Sequence, residues 1–360
     1  LIRNSAWPRC WENFGEDPYL SGVMAESAVR GFQGDDPNNI DKNHIATSIK
    51  HYMGYGAPVS GKDRTPAVIS EADLREKHFE PYRKAIEAGA QTVMVYSASV
   101  NTTPVHADHR LLTEWLKDGL NWDGFIVTDW ADINNLFTRE KVAANKKEAI
   151  VMAINAGIDM TMDPYDLGFC KLLREAVEEG LVPMSRIDDA TRRILRVKYR
   201  LGLFDNPKQR VEDYPLFASK SFAKDATRAA EESMVLLKNT DSVLPIKKGT
   251  RILLTGPNAN SMRTLNGGWS VSWQGKLLPG DLEQYNTILE AMQDKFGKAN
   301  VTYVPGVEYD NDGDYAAEKT PDIDAAVQAA AQADVIVCRL GAHSYCETPG
   351  NISDITLSHN

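Results

Sequence analysis

The strongest constraint on the fold is the alternation of short apolar runs with amphipathic stretches between residues 45 and 205. Four runs have the composition of buried strands and end in polar residues: IATSIKHY, QTVMVYS, GFIVTDW and AGIDMTM. Intervening segments such as SEADLREKHFEPYRKAIEAG and HRLLTEWLKDGLNW have apolar residues at helical spacing. Strands that alternate with helices form parallel sheets, either open or closed into a barrel. The pattern therefore predicts an α/β fold.

A second α/β pattern follows the connector KQRVEDYPLFA. The stretch FAKDATRAAEESMVLLKN predicts a helix, RILLTGPNA a strand and a loop, and DAAVQAAAQADVIVCRLGAH a helix and a strand. A chain of 360 residues is long enough for two domains. We predict a first domain over residues 1–205, a linker over 206–220 and a second domain over 221–360.

Composition argues against several classes of partner. The chain has 40 basic and 50 acidic residues, a formal net charge of −10, and its basic residues form no stripe that would favour nucleic acid. No apolar run approaches the roughly 20 residues that a membrane-spanning helix needs. Four cysteines show no spacing typical of metal ligands. Cys338 and Cys346 could pair, but isolated thiols are the preferred interpretation.

Two loops resemble ligand-binding motifs without matching them. LLTGPNANSMRTLNGGW follows a strand and is rich in small residues, but it lacks both glycine patterns of nucleotide-binding loops. EYDNDGDYAAEK resembles a calcium loop at Asp310, Asp312 and Gly313, yet its twelfth position is Lys319. We interpret the second loop as a solvated acidic loop.

Several polar and aromatic residues stand where a parallel barrel carries its chemistry, at the C-terminal ends of strands. Asp129 ends GFIVTDW, and Lys50 and His51 end IATSIKHY. Asp129 alone could be a helix N-cap, and Glu347 in HSYCETPGN could be an ordinary loop carboxylate. Together the two predict paired-carboxylate chemistry of the kind that glycoside hydrolysis requires. Trp269 and Trp273 could be core aromatics, but the preceding glycines favour a loop with an apolar slot for a sugar.

The chain resembles glycoside hydrolase family 3, the β-glucosidases and exo-β-glucanases built from a (β/α)8-like barrel and an α/β sandwich. The resemblance rests on RNSAWPRCWENFGEDPYLSG, IKHYMGYG, VHADHRLLTEWLKDGLNWDGFIVTDW, AGIDMTM and LKNTDSVLPIKKGTRILLTGPNA. It implies a partial barrel followed by part of a sandwich domain that carries the acid/base loop. It also implies a retaining hydrolase of terminal β-glucosyl residues that needs no metal or organic cofactor. The implied compartment is periplasmic or secreted, and the oligomeric state stays open.

The resemblance assigns roles to individual residues. Asp129 matches the nucleophile, and Glu347 matches the general acid/base. Lys50 and Arg9 are expected beside Asp129, where they help to keep it charged. Substrate-binding roles are implied for Arg9, Lys50, His51, Tyr96, Trp130, Trp269 and Trp273.

Three departures from the family pattern stand out. Gly341-Ala342 replaces a Gly-Glu pair before the acid/base loop, and Asn101-Thr102 replaces Asn-Gly near Tyr96. The family also has roughly a hundred or more residues before RNSAW. The resemblance therefore implies an internal fragment, expected to be poorly folded or inactive by itself.

Three other functions compete with β-glucosidase. A β-N-acetylhexosaminidase of the same family would carry a histidine in the loop after Lys50-His51, and the loop GAPVSGKDRTPAVIS has none. A preference for β-xylosides stays open. A non-catalytic sugar-binding protein or inactive remnant is disfavoured by the presence of both Asp129 and Glu347.

Overall fold

The structure, a computed structural model, describes residues 1–165, 167–278 and 280–356. The chain forms two compact units, Leu1–Ser219 and a second unit that begins at Lys220. A parallel sheet and surrounding helices make up each unit. The predicted α/β class is confirmed.

The first unit contains a parallel sheet whose strands are the four predicted apolar runs. These strands are β1 (Ser48–Tyr52), β2 (Thr92–Val95), β5 (Phe125–Trp130) and β6 (Met160–Met162). They lie side by side in the order β1-β2-β5-β6. Within the described residues the sheet does not close, so it is an open part of a barrel-like arrangement. A small antiparallel hairpin, β3 (Ser99–Val100) with β4 (Thr103–Pro104), follows β2.

Helices connect these strands. They are α1 (Pro18–Gln33), α2 (Glu71–Asp73), α3 (Glu80–Glu87), α4 (Asp132–Thr138), α5 (Lys146–Ala156), α6 (Gly168–Glu178) and α7 (Met184–Arg200). Two further segments have π-helical spacing, Leu74–Phe79 and Arg110–Asp118, and short 3₁₀ turns lie at Cys10–Glu12, Val105–Ala107 and Val211–Asp213. No helix in the described part of the chain is long and apolar enough to cross a membrane.

Strand β5 lies between β2 and β6, and a buried ionic cluster fixes its beginning. The backbone N–H of Ile126 donates to Asp159 Oδ2 at 2.8 Å, and Lys117 Nζ donates to Asp159 Oδ1 at 2.8 Å. Arg186 also binds the Asp159 carboxylate. Burial lowers the pKa of Lys117 to about 8. Because carboxylate and cations are paired, the charges can be accommodated beneath the strand.

The second unit has a smaller parallel sheet in the order β8-β7-β9. Its strands are β7 (Ile252–Thr255), β8 (Val301–Tyr303) and β9 (Val335–Cys338). Its helices are α8 (Lys220–Glu232), α9 (Met262–Asn266), α10 (Ile288–Phe296) and α11 (Ile323–Ala330), with 3₁₀ turns at Thr240–Ser242, Lys298–Asn300 and Thr348–Gly350. Helix α10 begins with a full capping box, in which Thr287 and Glu290 bond each other's backbone N–H groups.

One predicted helix is too long. The sequence pattern extends from Phe222 to Asn239, but α8 ends at Glu232 and the run Met234–Leu237 has no regular structure. Four consecutive apolar residues cover more than one side of a helix, so this run offers no separate apolar and polar faces.

Candidate active site

Asp129 is the penultimate residue of β5, at the C-terminal edge of the first unit's sheet. The strand is buried from Ile126 to Asp129, and Trp130 at its end is 51% exposed. Thr128 Oγ1 accepts a hydrogen bond from Met162 N at 2.8 Å, which joins this end of β5 to β6. The chain then turns through Ala131, whose φ of 57° ends the strand, and enters α4. The structure therefore places Asp129 at the edge that the sequence predicts.

The two carboxylate oxygens of Asp129 have different surroundings. Oδ1 accepts the backbone N–H of Trp130 at 2.5 Å. Oδ2 is buried and has no hydrogen-bond partner among the described residues. The residue itself is 5% exposed. This oxygen therefore has lone pairs that are available to a substrate, a property that it shares with the buried Asp132 Oδ2.

A guanidinium group and an imidazole lie beside this carboxylate. Arg64 Nη2 is 3.6 Å from Asp129 Oδ1, and His51 Nε2 is 3.7 Å from Asp129 Oδ2. The sequence predicts Lys50 and Arg9 near Asp129, and Arg9 lies one residue away from it, against His51. Its guanidinium forms a bidentate pair with Glu12, with both distances 2.7 Å. Arg64 is a permanent cation in contact with Asp129.

His51 is neutral because burial, followed by the charges of Arg9 and Lys50, holds its pKa well below the usual value. Arg9 Nη1 lies 3.4 Å from His51 Nε2. A guanidinium can only donate, so this contact requires an unprotonated Nε2. Lys50 is exposed at the neighbouring strand position, and both residues line a cavity of ≈ 90 Å³ together with Arg9 and Tyr55. The structure thus groups the predicted Arg9, Lys50 and His51.

Tyr96 anchors the loop that carries Arg64. Its ring is fully buried, and its hydroxyl donates to the carbonyl of Thr65, the residue after Arg64. Burial raises the pKa of Tyr96, so the hydroxyl stays protonated and able to donate. Tyr55 donates in the same way to the buried Asp63, which precedes Arg64. Both residues flanking Arg64 are therefore held by hydrogen bonds from buried tyrosines.

The loop residue Arg64 has a left-handed backbone, with φ of 55°. Its Nε lies 3.6 Å from Asp63 Oδ2, and its Nη1 donates to Ser97 Oγ at 3.4 Å. This arrangement directs the guanidinium toward Asp129. Arg64 could not be identified from the sequence, because its loop has no periodicity and only the fold brings it to β5.

His106 is a second residue that the sequence analysis missed. Its Nε2 accepts the backbone N–H of Asp129 at 3.3 Å and lies 3.8 Å from Asp132 Oδ2. Burial lowers its pKa, although the charges of Asp132 and Asp129 oppose this effect. A neutral ring with an unprotonated Nε2 is what the bond to Asp129 requires. His106 therefore holds the backbone of the candidate nucleophile.

The altered turn near Tyr96 keeps its geometry. Asn101 and Thr102 link β3 to β4 and have φ values of 50° and 76°. A type I′ turn requires positive φ at both central positions, which explains why Asn-Gly is the common pair there. Asn101 compensates by exchanging two hydrogen bonds with the backbone of Ile69, at 2.9 and 2.6 Å. The hairpin therefore forms with threonine in place of glycine.

Trp130 presents its ring at the surface beside Asp129. Its indole Nε1 donates to the hydroxyl of Tyr165 at 3.1 Å, and Tyr165 is itself 71% exposed. Two exposed aromatic rings joined by a hydrogen bond thus offer apolar faces beside polar groups. Such a surface can take the C–H face of a sugar ring.

In the second unit, Glu347 lies in a loop after β9. The residue is 9% exposed, and its backbone has φ 57° and ψ −150°. Residues other than glycine seldom adopt this conformation, which costs on the order of 1–3 kcal/mol. Strained backbone of this kind persists where surrounding contacts impose it, and it is concentrated at functional sites.

The loop that carries Trp269 and Trp273 packs against the Glu347 loop. Trp269 N donates to Trp273 O at 3.1 Å, and the two indoles are 50% and 47% exposed. Their loop setting is as predicted. Gly268 allows the close approach, since a Cβ there would lie 2.8 Å from Tyr345 O and 3.0 Å from Cys346 Cβ.

Gly341-Ala342, which replaces the Gly-Glu pair of the family pattern, is held through hydrogen bonds to its main chain. Tyr309 donates to Gly341 O at 2.8 Å, and Asn258 Nδ2 donates to Ala342 O at 3.4 Å. These contacts do not need the glutamate of the family pattern.

The loop that resembles a calcium site binds a buried arginine. Arg263 Nη1 donates to the carbonyls of Asn311 at 2.5 Å and Gly313 at 3.1 Å. Across residues 1–165, 167–278 and 280–356, no cluster of three or more His, Cys, Asp or Glu side chains could hold a metal ion. The four cysteines are free thiols.

Both units match models of a known family. Residues 1–197 match the glycosyl hydrolase family 3 N terminal domain, and residues 234–360 match the glycosyl hydrolase family 3 C-terminal domain. Together these matches include the Asp129 strand and the Glu347 loop.

Curated relatives and solved structures give the same result. A lysosomal beta glucosidase of Dictyostelium discoideum is 41% identical over 98% of the chain and 44% of its own length. A periplasmic beta-glucosidase of Salmonella typhimurium is 36% identical over 95% of the chain and 46% of its own length. An exo-1,3/1,4-beta-glucanase of a Pseudoalteromonas species superposes with a TM-score of 0.84 at 34% identity, covering 99% of the chain and 43% of that structure. Proteins named beta-xylosidase also match. The chain thus spans less than half the length of each of these three proteins.

Proposed function

Because the chain belongs to glycosyl hydrolase family 3, we propose that the protein hydrolyses β-glucosides. It removes terminal non-reducing β-D-glucosyl units from β-glucosides or β-gluco-oligosaccharides, with retention of anomeric configuration. The observation that carries this proposal is the Asp129 carboxylate. It is buried at the end of β5, beside Arg64, with an Oδ2 atom that no described residue hydrogen-bonds.

In the first step, Asp129 Oδ2 attacks the anomeric carbon of the terminal sugar. Oδ1 is occupied by the N–H of Trp130, so Oδ2 has the lone pair available for bond formation. The covalent bond forms as the bond to the leaving oxygen breaks, which divides one difficult displacement into two easier ones. The positive charge of Arg64 favours the ionised carboxylate that this attack requires.

Residues around Asp129 bind the terminal sugar. Lys50 and the neutral His51 line the cavity of ≈ 90 Å³ that they share with Arg9. Each offers a polar group for sugar hydroxyls. Arg9 contributes through its contact with His51. Trp130 gives the sugar ring an apolar face, and Tyr96 acts through the loop that positions Arg64. These roles account for all five predicted binding residues of the first unit.

Glu347 acts as the general acid and then as the general base. It protonates the leaving oxygen in the first step and activates water in the second. A retaining mechanism requires a separation of about 5–5.5 Å between the two carboxyl groups during the reaction. Trp269 and Trp273 bind the leaving sugar through their exposed indole faces. The mechanism uses no metal or organic cofactor.

Two aspects of the proposal rest on the relatives. The lysosomal and periplasmic names support a β-glucoside substrate and a secreted or periplasmic compartment. Relatives named beta-xylosidase support a β-xyloside as the second candidate substrate. The two sugars differ in the hydroxymethyl group, so activity on matched nitrophenyl glycosides distinguishes them.

The decisive experiment traps the covalent intermediate. The intact protein is incubated with an activated 2-deoxy-2-fluoro β-glucoside and, in parallel, with the corresponding xyloside. Peptide mass spectrometry then locates the label. We expect a single fluoroglucosyl group on Asp129, and none in Asp129→Asn. Asp132→Asn is the matched control, because Asp132 is also buried and only three residues away.

A label on Asp132 or elsewhere would refute the role of Asp129. Sugar binding without label or turnover would support a non-catalytic binding protein. Preferential labelling by the xyloside would show that the substrate is a β-xyloside and not a β-glucoside.

A further inference from the structure

The side chain of Gln274 joins the tryptophan loop to the Glu347 loop. Its Nε2 donates to Cys346 O at 2.9 Å, and its Oε1 accepts Cys346 N at 3.1 Å. The primary amide thus pairs with both main-chain groups of the residue before Glu347, as a neighbouring strand would. Gln274 directly follows Trp273, so one residue connects the aromatic pair to the candidate acid/base.

A second connection runs between the same two loops. Ser344 Oγ donates to the main-chain carbonyl of Gln274 at 2.9 Å and accepts a bond from Arg263 Nε at 2.6 Å. Arg263 is 4% exposed, so this link is held from inside the unit. The Gln274 main chain is therefore fixed from one side while its side chain fixes Cys346 on the other.

The conformation of Glu347 explains why such a link is needed. Its φ of 57° and ψ of −150° are unfavourable for a residue with a side chain. Such a backbone conformation persists only when the surrounding contacts impose it. On the C-terminal side, Gly350 N donates to Glu347 O at 2.8 Å. On the N-terminal side, the bonds from Gln274 fix Cys346. The two contacts lie on either side of Glu347 and hold its main chain in this conformation.

We propose that Gln274 is a positioning residue for Glu347 and makes the tryptophan loop and the acid/base loop a single unit. The inference rests on the proposed glycosidase function for its catalytic consequence, but the link itself does not. Its consequence is that a sugar bound at Trp269 and Trp273 lies at a fixed distance from the group that protonates its oxygen. A displacement of about 1 Å in such a group can cost roughly 10²-fold in rate.

The test compares three variants of the intact protein. Gln274→Met keeps the side-chain length and removes both hydrogen bonds, whereas Gln274→Glu keeps the acceptor for Cys346 N. Gln328→Met, on the exposed side of α11, is the control for replacing glutamine with methionine. Amide hydrogen exchange is followed in the peptide that contains Cys346 and Glu347. Turnover is measured on aryl β-glucosides with good and poor leaving groups.

We expect faster exchange of that peptide in Gln274→Met, with Gln274→Glu intermediate and Gln328→Met unchanged. Turnover of poor leaving groups should fall by roughly 10–10²-fold in Gln274→Met, and that of activated substrates by only a few-fold. Unchanged exchange would overturn the link, and an equal loss on both kinds of substrate would overturn the positioning role. A wild-type protein that hydrolyses neither glucosides nor xylosides would refute the proposed function instead, and hydrogen exchange alone would then decide whether Gln274 holds the loop.

Discussion

Arg64 Nη2 lies 3.6 Å from Asp129 Oδ1, and the loop that carries Arg64 is fixed on both sides of this residue. Tyr55 holds the side chain of Asp63, and Tyr96 holds the carbonyl of Thr65. The guanidinium is therefore placed by the fold and needs little reorganisation when charge changes at Asp129. Fixed charges of this kind contribute more to catalysis than mobile ones.

Replacing Arg64 with methionine should slow formation of the glycosyl intermediate. The variant removes a positive charge beside the attacking carboxylate, and at this distance we expect about a tenfold loss in kcat/KM, or about 1.4 kcal/mol. Arg64→Lys should retain part of the activity because it keeps a charge. Arg30→Met, at an exposed position on α1, is the control. An Arg64→Met enzyme with wild-type kcat/KM would show that the charge has no catalytic effect.

Replacing Glu347 with alanine should have an effect that depends on the leaving group. Substrates with poor leaving groups should lose roughly 10²–10⁴-fold in rate, and activated aryl glycosides much less. Added azide should restore turnover and give a β-glycosyl azide, because the small anion replaces base-activated water. Thr348→Ala serves as the neighbouring control. Equal losses on all substrates without azide rescue would contradict the acid/base role.

Replacing His106 with phenylalanine should destabilise the first unit. The variant leaves the buried N–H of Asp129 without its acceptor, which costs about 1–3 kcal/mol. His106→Gln keeps an acceptor and should lose less stability. Urea denaturation measures the free energy of unfolding, and the trapping reagent reports the reactivity of Asp129. Identical stability of the two variants would mean that the bond to Asp129 N contributes nothing.

The second unit should lose stability on acidification through His343. Burial, followed by the charge of Arg263, lowers the pKa of His343 from 6.5 to about 4, so the unfolded chain binds a proton more readily. Stability from this group is therefore complete above pH 6.5 and is lost as pH falls toward about 4. His343→Phe preserves the stacking on Tyr309 and should flatten this dependence. Urea titrations of both proteins at several pH values provide the measurement, and equal slopes would contradict the prediction.

The sequence predicts the framework of the site well and its contacts poorly. Apolar runs that end in polar residues identify β1 and β5, because a buried strand requires a run of apolar residues in the local sequence. The positions of His51 and Asp129 follow directly. The ion pair between Arg9 and Glu12 could not be predicted in the same way, since it depends on the fold of the turn Cys10–Glu12.

Contacts that depend on loop conformation could not be predicted from the sequence either, because loop conformation leaves no local pattern. Arg64 reaches Asp129 because its own backbone is left-handed and it follows the buried Asp63. His106 contacts Asp129 N although the two residues are 23 positions apart in the sequence. Neither relation has a periodic signal. Gln274 directly follows Trp273, but its pairing with Cys346 depends on how two loops pack.

Strand β5 is fastened at both ends by side chains that bond main chain, Asp159 to Ile126 N at its beginning and Thr128 to Met162 N near its end. The position of Asp129 along the sheet is thus set by β5 itself, and His106 adds a further contact to its main chain. Substitutions on the exposed parts of the surrounding loops should therefore leave the register of Asp129 unchanged. If the proposed function holds, exchange of the exposed loop residues should change which sugar is accepted before it changes where the carboxylate lies.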